Sequence, residues 1–99
     1  MNSANEGDAV AVSAGASLAG KRPVVLLQNS GLGNLISPLT SMSHIFKIPF
    51  LGFVSLRGGD DDEPQHKLMG KITKEMLEIT NTPIAVLSKD LEEAKMQIM

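Results

Sequence analysis

The 99-residue chain has no cysteine, no tryptophan and no tyrosine, and only three phenylalanines. Without cysteine it can build no disulfide framework, no thiolate zinc site and no cysteine nucleophile. Without Trp and Tyr, its core must come from Leu, Ile, Val, Met and Ala around Phe46, Phe50 and Phe53. An excess of positive charge is also lacking. Nine basic against eleven acidic residues leave a formal charge of −2, which gives no electrostatic footprint for nucleic acid. Long apolar runs are missing as well: Ile45 to Leu56 is broken by Lys47 and Pro49 and falls short of the ~20 residues that span a bilayer. The apolar stretch from Ala9 to Ala19 follows Glu6 and Asp8, where an export signal would need positive charge. Export is not expected, no membrane is implied, and the cytoplasm is the expected location.

What is present suits one small globular domain with a thin core: 42% hydrophobic and 20% charged residues over 99 positions. Residues 4–19 are small and helix-compatible, with a stop at Gly20-Lys21-Arg22-Pro23. Such a helix lets a neighbouring backbone approach closely, so burial is expected. Val24 to Gln28 is a continuous apolar run with β-branched residues, the pattern of a central strand covered on both faces. A turn, Asn29-Ser30-Gly31-Leu32-Gly33-Asn34, precedes a helix expected from about Leu35 to Phe46, and Pro49 introduces a second strand, Phe50 to Leu56. After a polar loop, residues 67–80 place Leu68, Ile72, Met76 and Ile79 on one helical face. A third strand is expected over Ile84 to Leu87, with Ser88 capping a last helix, Lys89 to Gln97. The alternation implies an α/β fold with an open parallel sheet flanked by helices. Starting on a helix and holding only three strands, residues 1–99 are expected to form a partial domain that lacks a first strand and helix.

Three stretches could carry chemistry. Ser3-Ala4-Asn5-Glu6 matches a capping box, in which a serine and a glutamate three residues on satisfy free N–H groups reciprocally. Asn29 to Asn34 joins a strand end to a helix start, the usual ligand position in open α/β sheets. Neither the G-x-G-x-x-G dinucleotide pattern nor the G-K-[ST] phosphate loop is present, so a plain turn and a ligand loop fit this stretch equally. The acids Asp60-Asp61-Asp62-Glu63 suit a solvated loop tip better than a hard-cation site, and no metal ligand is assigned. His66 follows that loop at a strand end, where loops carry function, while His44 reads as structural or exposed.

Taken together and in order, Asn5-Glu6-Gly7, Gln28 to Asn34, Pro38-Leu39-Thr40-Ser41, and Arg57-Gly58 leading to Asp62-Glu63-Pro64-Gln65-His66 resemble a known family. They are similar to the pyrimidine-binding domain of the phosphonopyruvate decarboxylases, which use thiamine diphosphate and have the sulfopyruvate decarboxylases as close relatives. The resemblance covers residues 5 to about 80, and Glu-Pro-Gln-His favours the phosphono branch. It implies decarboxylation of 3-phosphonopyruvate to phosphonoacetaldehyde and carbon dioxide, with 3-sulfopyruvate as the alternative substrate. It implies that Glu6 is the catalytic carboxyl at the aminopyrimidine ring, its pKa raised by burial against the opposing helix N-terminus. Asn29, Ser30, Gly31, Leu32, Gly33 and Asn34 would line the cofactor. His66 would transfer a proton or orient substrate, and Arg57 would pair with the phosphonate. The family's magnesium and diphosphate are held by a second domain, whose Gly-Asp-Gly…Asn motif these residues lack. The expected partners are therefore a diphosphate-binding domain or subunit, a second pyrimidine domain and a small anionic 2-oxo acid. On this reading the isolated chain is half a site and inactive. The competing readings are a non-catalytic module that binds an anion at the Asn29 loop and a remnant that serves only dimerisation.

Overall fold

A computed structural model of the chain describes residues 1–58, 61 and 63–98. Gly59, Asp60 and Asp62, which belong to the acidic loop, lie outside the described residues, as does Met99. Helix α1 spans Glu6–Leu18, strand β1 Val24–Gln28, helix α2 Leu32–Pro38, strand β2 Leu51–Ser55, helix α3 Lys67–Ile79 and helix α4 Leu91–Ile98. The strands pair in parallel, in a register that sets Val24 beside Leu51 and Gln28 beside Ser55. The α/β class with a parallel sheet is thus the observed one, with two strands rather than three among the described residues.

Helix α1 begins on Asn5, not on Ser3. Asn5 is extended and its Oδ1 accepts the Asp8 N–H at 3.0 Å, and asparagine caps as well as serine. Asn5 rather than Ser3 is the cap, so the expected Ser3–Glu6 capping box is not the helix start, and Glu6 becomes the first helical residue. The helix closes on Gly20 at φ +87, with Lys21 N–H bonded to Ala16 O at 2.9 Å and Gly20 N–H to Ser17 O at 3.0 Å. This left-handed closure favours glycine.

The core gathers Val10 of α1 with Leu32, Leu35 and Leu39, and Leu27, Phe50, Met76 and Leu77 pack against it. Full burial of a side chain such as Val10 or Leu32 contributes about 1.5–3 kcal/mol. Beyond Pro38 the helical path continues as a wider π turn, Leu39–Ser43, with His44 N–H reaching Leu39 O at 2.9 Å. Proline has no N–H and its ring crowds the preceding turn, so regular helix stops there rather than running to Phe46.

Three further expectations are corrected. Strand β1 is covered on one face only: Val25 is buried and Leu27 half-buried, but Leu26 is 75% exposed. On α3, Leu68 and Ile79 face solvent, and Thr73 is the buried residue, flanked inward by Met76 and Leu77. Ile84 to Leu87 does not join the sheet. The Gln97 side chain meets that segment's backbone instead, donating to Val86 O at 2.9 Å and accepting the Ser88 N–H at 2.8 Å. Ser88 does sit before the last helix, its Oγ accepting the Asp90 N–H at 3.0 Å.

Candidate active site

Because β1 and β2 run parallel, both strands end at the same sheet edge, where ligands of open α/β folds gather. Asn29 leaves β1 and Arg57 follows β2 at that edge. The two are joined directly. The Asn29 Nδ2 donates to the Arg57 carbonyl at 3.0 Å and to Thr73 Oγ1 at 2.9 Å, and its Oδ1 accepts the Arg57 N–H at 3.0 Å. Thr73 Oγ1 in turn donates to Met69 O at 2.6 Å. Asn29 is 0% exposed, and a buried amide must be satisfied in this way. Its side chain acts as a short piece of β-ladder that ties both strand ends to α3.

The six residues expected to line a cofactor therefore divide. Asn29 and Leu32 point into the fold and are fully buried, so neither side chain is on offer to a ligand. Ser30, Gly33 and Asn34 are exposed, and Ser30 Oγ donates to Gln28 Oε1 at 3.0 Å. Gly31 is buried directly beneath the Glu6 side chain, since a Cβ built on it would strike Glu6 Cγ, Cδ and Oε1.

Glu6 reaches this loop from the start of α1. The Asn34 Nδ2 donates to its Oε2 at 2.9 Å. The Asn34 amide, and then the Glu6 backbone N–H, hold the carboxyl below the usual glutamate range, outweighing a smaller opposing effect of burial. The expectation that desolvation raises this group is reversed here: donors that favour the anion act on a half-buried carboxylate.

On the β2 side, Arg57 and His66 are half-buried. His66 ends a 3-10 turn, Pro64–His66, in which its N–H bonds Glu63 O at 3.0 Å, and it immediately precedes α3. Gly58, at φ +111, packs against the His66 carbonyl and against Gly70 of α3. A methyl on Gly70 would stand 2.6 Å from Arg57 O and 2.9 Å from Gly58 Cα, so strand end and helix touch backbone to backbone. The structure thus brings Glu6, Gly31 and Asn34 into one group, and Arg57, Gly58 and His66 into another, with Asn29 tying the two loops. His44 stands elsewhere, its Nε2 3.3 Å from Thr82 Oγ1.

Thr73 and Gly70 were missed by sequence reasoning. A threonine in the inward stripe of α3 and a glycine in its interior, which costs about 1 kcal/mol relative to alanine, were the available signals. Among the described residues no group of three or more His, Asp or Glu side chains gathers to hold a metal ion, and no helix is long and apolar enough to cross a membrane.

No family model matches the chain. Individual proteins do, and the similar ones are decarboxylases. More particularly, the chain is 43% identical over 90 residues to phosphonopyruvate decarboxylase of Streptomyces viridochromogenes, covering 89% of the chain and 23% of that protein. It is 48% identical over 73 residues to phosphonopyruvate decarboxylase of Streptomyces hygroscopicus, covering 72% of the chain and 18% of that protein. To the sulfopyruvate decarboxylase alpha subunit of Methanococcus maripaludis it is 38% identical over 79 residues, covering 79% of the chain and 47% of the subunit. The chain spans less than half the length of each of these relatives. The resemblance carried by its motifs holds across most of the chain.

Proposed function

We propose that the chain forms the pyrimidine-binding half of a thiamine diphosphate-dependent carboxy-lyase that converts 3-phosphonopyruvate to phosphonoacetaldehyde and carbon dioxide. The observation that carries this reading is the Glu6 carboxylate held at 2.9 Å by Asn34 over Gly31, at the sheet edge where a ligand would lie. The residues suit an aminopyrimidine: a carboxylate oriented by one oxygen, with the exposed Ser30, Gly33 and Asn34 beside it. When bound, thiamine diphosphate supplies an electron sink for the carbanion left by carbon dioxide.

On this chain, Glu6 exchanges a proton with the aminopyrimidine ring nitrogen. Loop residues 30–34 shape the surface against which that ring rests. Arg57 recognises the substrate's anionic end by its guanidinium fork, and His66 orients substrate or moves a proton at the reacting carbon. Magnesium and the diphosphate belong to a second domain or a partner chain, the assembly is oligomeric, and its location is the cytoplasm. The 43% and 48% identity to two phosphonopyruvate decarboxylases, against 38% to the alpha subunit, favours phosphonate. The sulfopyruvate reading is kept by the alpha-subunit likeness, in which the chain covers the larger share of its relative.

The test supplies the chain with thiamine diphosphate, magnesium and a diphosphate-binding partner, and measures carbon dioxide released from each substrate. Release from phosphonopyruvate, faster than from sulfopyruvate and absent without the partner, is expected. Turnover by the chain alone would overturn the half-site reading, and no turnover with the partner would overturn the enzyme reading.

A further inference from the structure

We infer that Gly31 and Asn34 are positioning residues for Glu6: Gly31 provides the seat on which the carboxylate lies, and Asn34 fixes its orientation through one oxygen. This goes beyond the cofactor-lining role first expected of them, and its catalytic meaning rests on the reading of Glu6 as the proton-handling group.

Gly31 does not need to be glycine for its backbone. It sits at φ −90, ψ 0, in the bridge region, which is open to residues other than glycine. Space is what requires it, and the three nearest atoms to an added Cβ all belong to the Glu6 side chain. No core atom or backbone atom is among them. A methyl there would first displace a flexible, half-exposed side chain.

Asn34 lies one turn further along α2. Its carbonyl oxygen would be 2.9 Å from a Cβ on Gly7, so the start of α1 and this turn of α2 are pressed together. That close approach brings the Asn34 amide within 2.9 Å of Glu6 Oε2. A donor on one oxygen orders the carboxylate and favours its ionised form, in agreement with the lowered titration of Glu6. The loop and α2, residues 29–38, carry no titratable side chain. On α1 the other acid is Asp8, whose backbone N–H is bound by Asn5. Asn34 is therefore the group through which the neighbouring element acts on Glu6.

The test follows the Glu6 carboxyl carbon by NMR titration of the 99-residue chain, with its resonance assigned by loss in Glu6→Gln. The wild-type midpoint should lie below the ordinary glutamate value. Asn34→Ala should raise it toward that value, and Asn34→Asp should raise it further. Gly31→Ala should also raise it, although Asn34 remains, and should keep the dispersed amide spectrum of the wild type. Identical midpoints in the wild type, Asn34→Ala and Gly31→Ala would overturn the inference. A Gly31→Ala chain that loses its amide dispersion would overturn it too, since the glycine would then serve the fold. Shifted midpoints combined with thiazolium proton exchange indifferent to Glu6→Gln would leave the seat standing and remove the decarboxylase reading.

Discussion

Two junctions meet at the carboxyl edge of the sheet, and they are built on opposite terms. At the junction of β1, β2 and α3, Asn29, Arg57 and Thr73 satisfy one another inside the protein, and Gly58 lies on Gly70 backbone to backbone. At the junction of α1 and α2, Glu6 lies on Gly31 with a side-chain bond from Asn34, at a half-exposed surface. In the first, the Asn29 amide is wholly engaged inside the protein. The second offers a carboxylate held in place. Two asparagines five positions apart in one motif thus do different work, and burial separates them.

That contrast can be broken from either side. The largest effect on stability is expected from Asn29→Ala. It removes the three hydrogen bonds that the amide makes with the Arg57 N–H, the Arg57 carbonyl and Thr73 Oγ1. At about 0.5–1.5 kcal/mol for each hydrogen bond lost, chemical denaturation should report a loss of about 2 kcal/mol or more. A loss below about 1 kcal/mol would mean that the amide is not engaged as described. Next comes Gly70→Ala. Its added methyl meets Arg57 O at 2.6 Å and backbone that cannot yield, and overpacking of this kind costs about 1–3 kcal/mol. Alanine's better helix propensity, worth about 1 kcal/mol, offsets only part of it. Gly31→Ala is the counterpart on the other side: denaturation should report a smaller loss than for Gly70→Ala, because the three nearest atoms to its added methyl all belong to the flexible Glu6 side chain.

The smallest effect is a dependence on pH. The folded Glu6 carboxyl titrates below its unfolded value. Its contribution is therefore present above the unfolded pKa and is lost as pH falls through the folded one. Wild type should lose a little stability on acidification through the carboxylate range, and Asn34→Ala should lose less over the same interval. Parallel curves for the two chains would remove the electrostatic part of the Asn34 bond.

Much of this was legible in the residues. The two strands, α3 and the position of the Asn29–Asn34 loop follow from apolar runs, prolines and turn residues, and the order of elements gave the parallel sheet. Other features were not legible, because they depend on contacts between distant segments. Nothing local distinguishes a buried Asn29 from an exposed Asn34; the Arg57 backbone, 28 residues away, decides it. The apolar face of α3 was misjudged because Thr73, polar by type, is drawn inward by Asn29. The capping box failed because Asn5, three residues before Asp8, competes with Ser3 for the same task. Segment 84–87 reads as a strand by composition, yet its backbone is met by a side chain from α4, Gln97.

The central claim is that the Glu6 carboxyl activates a bound thiazolium rather than merely starting a helix. Its most direct test is hydrogen–deuterium exchange at the thiazolium carbon of thiamine diphosphate, with the chain joined to a diphosphate-binding partner and Glu6 replaced by glutamine. Glutamine keeps the size and a hydrogen-bonding oxygen but cannot carry the proton. Exchange should slow by about 10²-fold or more while the melting temperature stays close to that of the wild type. Exchange at the wild-type rate in Glu6→Gln would contradict the assignment and leave the carboxylate a structural feature of the α1–α2 junction.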